Sequence, residues 1–179
     1  MCGGVRTGSQ LNDEKTSEGK AFDEFVAREF NQIVALALAV LRDGDEALEV
    51  AQETMARAFS AWSEVGVMDR PGGWARRVAL NLVTDVLRRR TRRKKLHLRL
   101  VGEHKASSNS SEVEGWDTEF WGEVAALPRR QRDVTVLFYV HDLSVADIAL
   151  IVDVPEGTVK SDLSRSRETL RDKLSRSER

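Results

Sequence analysis

Arg77, Asn81, Thr84 and Arg88 recur at i, i+4, i+7 and i+11, a spacing that sets them nearly in line on one face of a helix. An amide and a hydroxyl between two guanidiniums suit nucleic-acid reading: Asn and Thr hydrogen-bond base edges, and Arg holds phosphates. The same four residues also fit an ordinary exposed helix face. A second set lies in "VPEGTVKSDLSRSRETL" near the C-terminus. There Gly157, Lys160, Ser161, Ser164 and Arg165 fall opposite an apolar stripe of Val159, Leu163, Ser166, Leu170 and Leu174. This face is small as well as basic, so another surface could approach it closely.

Catalytic chemistry has little to stand on. His97, His104 and His141 are scattered without metal-ligand spacing. No phosphate-binding glycine loop is present, because Lys160-Ser161 lacks the preceding Gly. Cys2, in a polar N-terminal stretch, reads as incidental rather than as a redox switch. Trp62, Trp74, Trp116 and Trp121 sit at helical spacings and read as core or interface. The expectation is no catalytic residue, no metal, no cofactor and no enzyme.

Charge sharpens the picture. The 179 residues carry a formal net charge of −1, which alone would argue against a nucleic-acid partner. The average hides an asymmetry, because the segment from Arg70 to Lys105 holds twelve basic residues against Asp85 and Glu103. An acidic block from Asp43 to Asp69 precedes it, and "SEVEGWDTEFWGE" follows. A basic band between acidic flanks suggests two partners of different character, although an Arg-rich solvated helix end reads the same way. One Cys allows no internal disulfide, and a reducing cytoplasm is the expected setting. With no apolar run at the start and none of membrane-spanning length, neither a signal peptide nor a membrane anchor is expected.

The elements that must position these residues are helices. Phe22, Phe25, Val26, Phe30, Ile33, Val34, Ala37 and Leu41 keep the i, i+3, i+4 rhythm of a first long helix, which "RDGD" breaks. Ala47, Val50, Ala51, Met55, Ala58, Phe59 and Trp62 give the apolar side of a second, with Asp45 placed to cap it. "GVMDRPGG" reads as a loop. A third helix starts near Trp74 and turns Ala75, Val78, Ala79, Leu82 and Val86 to the core, opposite the Arg77–Arg88 line. From Leu96 the pattern dissolves into a Ser-rich linker, too long a structureless run for the inside of one compact domain. Beyond it, "LSVADIALIVDVPEGTVKS" reads as a helix-turn-helix. Ser144 and Asp147 form a near capping box, Ala149 lets two helices approach, and Asp153 takes the left-handed turn position. Pro155 opens the last helix, whose small basic face would enter the DNA major groove. The free N–H groups beside Gly157 could meet a phosphate.

The fold expected is therefore all-α: two small helical domains joined by a flexible linker, the C-terminal one a helix-turn-helix. Boundaries are expected as a disordered tail over 1–19, a first domain over 20–95, a linker over 96–116 and a second domain over 117–179.

Three motifs in order resemble the extracytoplasmic-function (ECF) subfamily of RNA polymerase sigma factors. "DEALEVAQETMARAF" is similar to the polymerase-binding helix of sigma region 2. "GGWARRVALNLVTDVLRRR" is similar to the helix that reads the −10 element, matching at Trp74, Arg77, Asn81, Asp85 and the terminal Arg run. "LPRRQRDVTVLFYVHDLSVADIALIVDVPEGTVKS" resembles region 4, which reads the −35 element. The resemblance implies promoter-directed transcription initiation, with core RNA polymerase and promoter DNA as partners, and an anti-sigma factor is common in the family. By position it implies polymerase binding through Glu49, Gln52 and Glu53. It implies −10 contacts from Arg77, Asn81, Thr84 and Arg88, with the Gly66–Gly73 loop helping to choose a flipped base. It implies −35 contacts from Thr158, Lys160, Ser161, Ser164 and Arg165. Three positions depart from the pattern: Leu48 where an acid is usual, Asp153 in place of the turn glycine, and Asp162 where a basic residue is frequent. A carboxylate at 162, beside the phosphate track, is expected to leave the −35 contact weaker or differently angled.

Overall fold

The computed structural model describes residues 8–101 and 118–177, and every regular element among them is a helix. The first half holds α1 (Gly8–Leu41), α2 (Gly44–Ser60), the single turn α3 (Trp62–Val65) and α4 (Pro71–Val101). The second holds α5 (Thr118–Ala125), α6 (Arg129–Tyr139), α7 (Val145–Val152) and α8 (Glu156–Ser177).

Helix α1 packs along α2 and α4 because its apolar rhythm is unbroken: Phe25, Ile33, Leu36, Ala37 and Val40 are buried. Alanines on the facing helices, Ala47, Ala51, Ala58, Ala75 and Ala79, let the three axes approach closely. At one end Phe22, Phe25 and Trp62 interlock, with the Trp62 ring 5.1 Å from each Phe ring centroid. The cap of α2 is Asp43, whose side chain accepts from the Glu46 N–H at 3.0 Å, and not Asp45, which lies one residue inside the helix. An N-cap must keep extended backbone, and Asp43 does so at φ −141° and ψ 116°. We expect Asp43→Ala to cost about 1 kcal/mol of stability in chemical denaturation, the usual loss of an N-cap.

Two expected boundaries fall inside helices. Backbone helix begins at Gly8, well before residue 20, and α4 continues to Val101, past residue 96. No Pro interrupts 8–19, and the Lys, Arg and Leu residues at 92–100 are good helix formers, so neither stretch carries a stop signal. Residues 1–7 of the expected tail and 102–116 of the expected linker, with Cys2, His104 and Trp116, lie outside the described residues. Likewise Pro71, Gly72 and Gly73, expected in the loop, form the first turn of α4. A Cβ on Gly72 would sit 2.6 Å from Glu29 Oε1, so a glycine there lets the start of α4 pass close to α1 and leaves room for the Glu29–Arg76 ion pair at 2.9 Å.

In the second half α6, α7 and α5 pack against α8. Ser144 caps α7, accepting from the Asp147 N–H at 3.1 Å while donating to Asp147 Oδ2 at 2.6 Å. Asp153 ends α7 with φ 58° and ψ 54°, the left-handed conformation expected of the turn. The last helix begins at Glu156, with the Pro155 carbonyl accepting from Thr158 and Val159, so Pro155 is the capping residue rather than the first helical one. The two halves also touch: α1 meets α5 and α6, and α4 meets α7.

Candidate nucleic-acid and polymerase interfaces

Helix α8 divides as its pattern requires. Val159, Leu163, Ser166 and Leu170 are buried against Ile148, Leu137 and their neighbours. Lys160, Ser161, Ser164 and Arg165 are exposed on the outer side, and Thr158 is half-buried. Among the described residues Lys160 pairs with Glu156 one turn earlier, at 3.8 Å, and Ser161 Oγ donates to the Gly157 carbonyl at 2.9 Å. Two cations and two short hydroxyls thus form a low, open face.

Asp162 does not share that face. Its side chain is buried, and both carboxylate oxygens accept from Arg130 of α6. The expected weakening of DNA contact by this carboxylate is therefore corrected: the charge is turned inward and neutralised, and it ties α8 to α6.

On α2, Glu49, Gln52 and Glu53 are all exposed, and Glu53 pairs with Arg57 at 2.8 Å. Two apolar residues share the outer surface of this helix, Leu48 at 41% and Phe59 at 67% exposure. Phe59, expected in the core, instead leans its edge on Phe22 at 5.1 Å and offers the rest of its ring to solvent. Periodicity alone does not separate an apolar residue that serves the core from one that serves a partner. An acidic surface with exposed apolar anchors suits a protein partner and repels phosphate.

Three residues of the line on α4, Arg77, Asn81 and Arg88, are exposed, as a face opposite the core requires. Arg88 is exposed and meets Asp85 at 3.5 Å. Thr84, by contrast, is buried, its hydroxyl donating to the Leu80 carbonyl at 2.9 Å and accepting from Arg132 of α6 at 3.1 Å. Asn81 Oδ1 accepts from Arg129 at 2.6 Å, and Arg77 lies 3.5 Å from Asp153. Arg70, in the loop before α4, pairs with Asp147. Sequence reading gave no sign of Arg70, Arg129, Arg132 or Asp147 in these roles, because their partners lie 48 to 77 residues away.

The groups at this joint are electrostatically tuned. Burial pushes the Asp133 carboxyl up, against the pull of Arg132 and Arg129. Hydrogen bonds from Ser144 and Arg70 hold Asp147 below the usual carboxylate range. His141 sits between α1 and α4, its Nδ1 3.1 Å from Gln32 Oε1 and 3.4 Å from Arg76 Nε, while its Nε2 is buried without a hydrogen-bond partner. Burial first, and the Arg76 charge second, lower its pKa from 6.5 to about 4. The neutral ring is thus the form the joint accepts. The contact between the halves is accordingly expected to hold fully above pH 6.5 and to weaken as pH falls toward 4, where the free ring gains a proton that the buried one refuses. Small-angle scattering across that range should show the chain expanding, and His141→Gln should flatten the response.

Comparison with known proteins agrees with this division. The sigma-70 region 2 family model matches residues 25–93, and the sigma-70 region 4 model matches residues 118–170. Together the two matches cover most of the chain, in the order that the motifs require. The chain belongs to the ECF sigma factors. It is 27% identical to the ECF RNA polymerase sigma factor SigW of Bacillus subtilis over 92% of this chain and 95% of that protein. It is 28% identical to the ECF sigma factor SigM of Mycobacterium tuberculosis over 84% of this chain and 75% of the relative. Among solved structures, the sigma factor RpoE of Bartonella quintana, in complex with the anti-sigma factor NepR, shares the fold with a TM-score of 0.67 at 22% identity, covering 87% of this chain and 98% of that one. As an ECF sigma factor the protein is a promoter-recognition subunit for RNA polymerase and not an enzyme. Among the described residues no helix is long and apolar enough to cross a membrane, and no cluster of His, Cys, Asp and Glu could hold a metal ion.

Proposed function

We propose that three surfaces divide the work of this sigma factor. The exposed face of α2, with Glu49, Gln52 and Glu53 beside Leu48 and Phe59, docks on core RNA polymerase. Arg77, Asn81, Thr84 and Arg88 of α4, with the Gly66–Arg70 loop and the Pro71–Gly73 turn that opens α4, engage the −10 element as an unpaired strand. Extruding a base costs stacking energy and needs a pocket, which a loop beside a basic helix supplies. Thr158, Lys160, Ser161, Ser164 and Arg165 of α8 read the −35 element from the major groove. The observation that carries the reading is the two-faced α8: a buried apolar stripe on one side, and an exposed, small, cationic surface on the other. Cytoplasmic action follows from the polymerase partner. An anti-sigma factor is carried over as a partner class from the RpoE complex.

The deciding experiment is reconstituted transcription from a promoter library with core polymerase. The expected result is initiation confined to promoters sharing −35 and −10 sequences, and Asn81→Ala is expected to relax choice at the −10 element alone. Initiation without sequence preference in either element would overturn the assignment.

A further inference from the structure

Asp162 lies one turn from both Thr158 and Arg165 on α8, so its side chain leaves the helix on the flank that those two residues share. The carboxylate is 2% exposed, whereas the guanidinium it holds, that of Arg130 in the first turn of α6, is 53% exposed. The pair is side-on: Nε donates to one carboxylate oxygen, and Nη2 approaches the other at 3.4 Å. Side-on pairing occupies one edge of a guanidinium and leaves both Nη1 hydrogens and the second Nη2 hydrogen for another acceptor. The first turn of α6 carries no acid that would repel an anion there.

We infer that Arg130, aimed by Asp162, grips a backbone phosphate on the groove wall beside α8 and so fixes how that helix seats in the −35 element. This role rests on the reading of α8 proposed above and adds to it a contact from a second helix, with Asp162 as its positioning residue. A helix with its side chains is about 10–12 Å across, and the major groove is about 12 Å wide. A cation on the flank of a seated helix therefore stands against the phosphates of the wall rather than against base edges. Such contacts set register and orientation and carry no sequence information. Packing alone does not account for the carboxylate. Burying it costs solvation, and an apolar residue of similar size would fasten α8 to α6 as well. What the carboxylate adds is a fixed direction for the guanidinium, whose outer edge matches two phosphate oxygens. An arginine ordered before binding also loses less freedom when it binds.

The test uses holoenzyme reconstituted from core polymerase and the full chain, on a promoter duplex selected from the library above. Neutral methylphosphonate linkages replace the phosphates of the −35 element one at a time. The main variant is Arg130→Met/Asp162→Asn, which removes one cation and one anion, keeps the apolar stem and leaves no unpaired buried charge. Circular dichroism and thermal melting check that it folds. In the parent, neutral linkages at one or two positions on one groove wall should weaken binding about tenfold, the worth of one charged hydrogen bond. The double variant should bind the natural duplex about tenfold more weakly, lose nothing further at those same linkages, and show a salt slope shallower by about one phosphate. Asp162→Asn alone should also weaken binding, because the cation remains without its aim. Tighter binding by Asp162→Asn would mean that the carboxylate merely neutralises Arg130, and the positioning role would be lost. A double variant that responds to the same linkages as the parent, with an equal salt slope, would reduce the pair to a fastening between α6 and α8 and overturn the contact. If the parent responds to no neutral linkage in the −35 element and Lys160→Ala changes nothing, the contact falls together with the assignment of α8.

Discussion

Charge reversal on the outer face of α2 should abolish binding to core polymerase while leaving the fold intact. Glu49→Lys with Glu53→Lys places two cations where two exposed anions stood. A partner surface complementary to this patch is basic, and setting like charges against each other costs several kcal/mol. At 1.4 kcal/mol per decade, the loss is about two decades of affinity or more. The cost to the chain itself is small, because only the exposed Glu53–Arg57 pair is lost, and a pair of that kind contributes at most about 1 kcal/mol. Circular dichroism should therefore be unchanged while a pull-down with core polymerase fails. The matching control is Glu168→Lys with Asp172→Lys, on exposed positions of α8, which changes net charge equally and should leave binding intact. Phe59→Ala adds a second probe of the same surface. Its ring is largely in water in the free chain, so losing it should weaken the complex far more than the fold. Retained binding by the double-Lys variant would remove α2 as the docking helix.

What the sequence disclosed and what it hid divide along a physical line. Features set by residues within one or two turns were legible. The buried stripe of α8 follows from 3.6-residue spacing, the Ser144 cap from its Asp147 partner three residues on, and the left-handed Asp153 from the tight turn between two helices. Errors of a residue or two arose where neighbours compete for one role, as Asp43 and Asp45 do for the cap of α2, or Pro155 and Glu156 for the start of α8. Features set by distant residues were hidden. Asp162 looked like a carboxylate in a DNA-facing helix, and its actual direction depends on Arg130, in a different helix. Thr84 looked exposed, and its burial depends on Arg132 in the other half. Phe59 looked like core because an apolar residue obeys the same rhythm whether its neighbour is its own chain or another protein. Which residues share a helix face was thus legible in sequence, whereas the burial of single members of those faces, Thr84 on α4 and Asp162 on α8, is a property of the fold.

The open face of α8 yields the second large effect. Replacing Lys160 or Arg165 with Ala removes a cation that is exposed and, in the free chain, only loosely engaged: Lys160 meets Glu156 at 3.8 Å, and both side chains point away from the buried Val159 and Leu163. Neither substitution opens a cavity, so stability should change little. If the residue hydrogen-bonds a base, its loss should cost about 1–3 kcal/mol and relax preference at one −35 position. If it holds a phosphate, binding should weaken alike on every promoter and the salt dependence should become shallower by about one phosphate contact. Ser161 and Ser164 help to separate the cases: short side chains at these positions let the helix seat deeply, so Ser164→Gln should hinder all promoters by lifting the helix even though every cation remains. Scoring the parent chain, Lys160→Ala and Arg165→Ala on one −35 library at two salt concentrations distinguishes base reading from phosphate holding residue by residue. Unaltered preference together with an unaltered salt slope for both variants would mean that the two-faced pattern of α8 serves something other than the major groove.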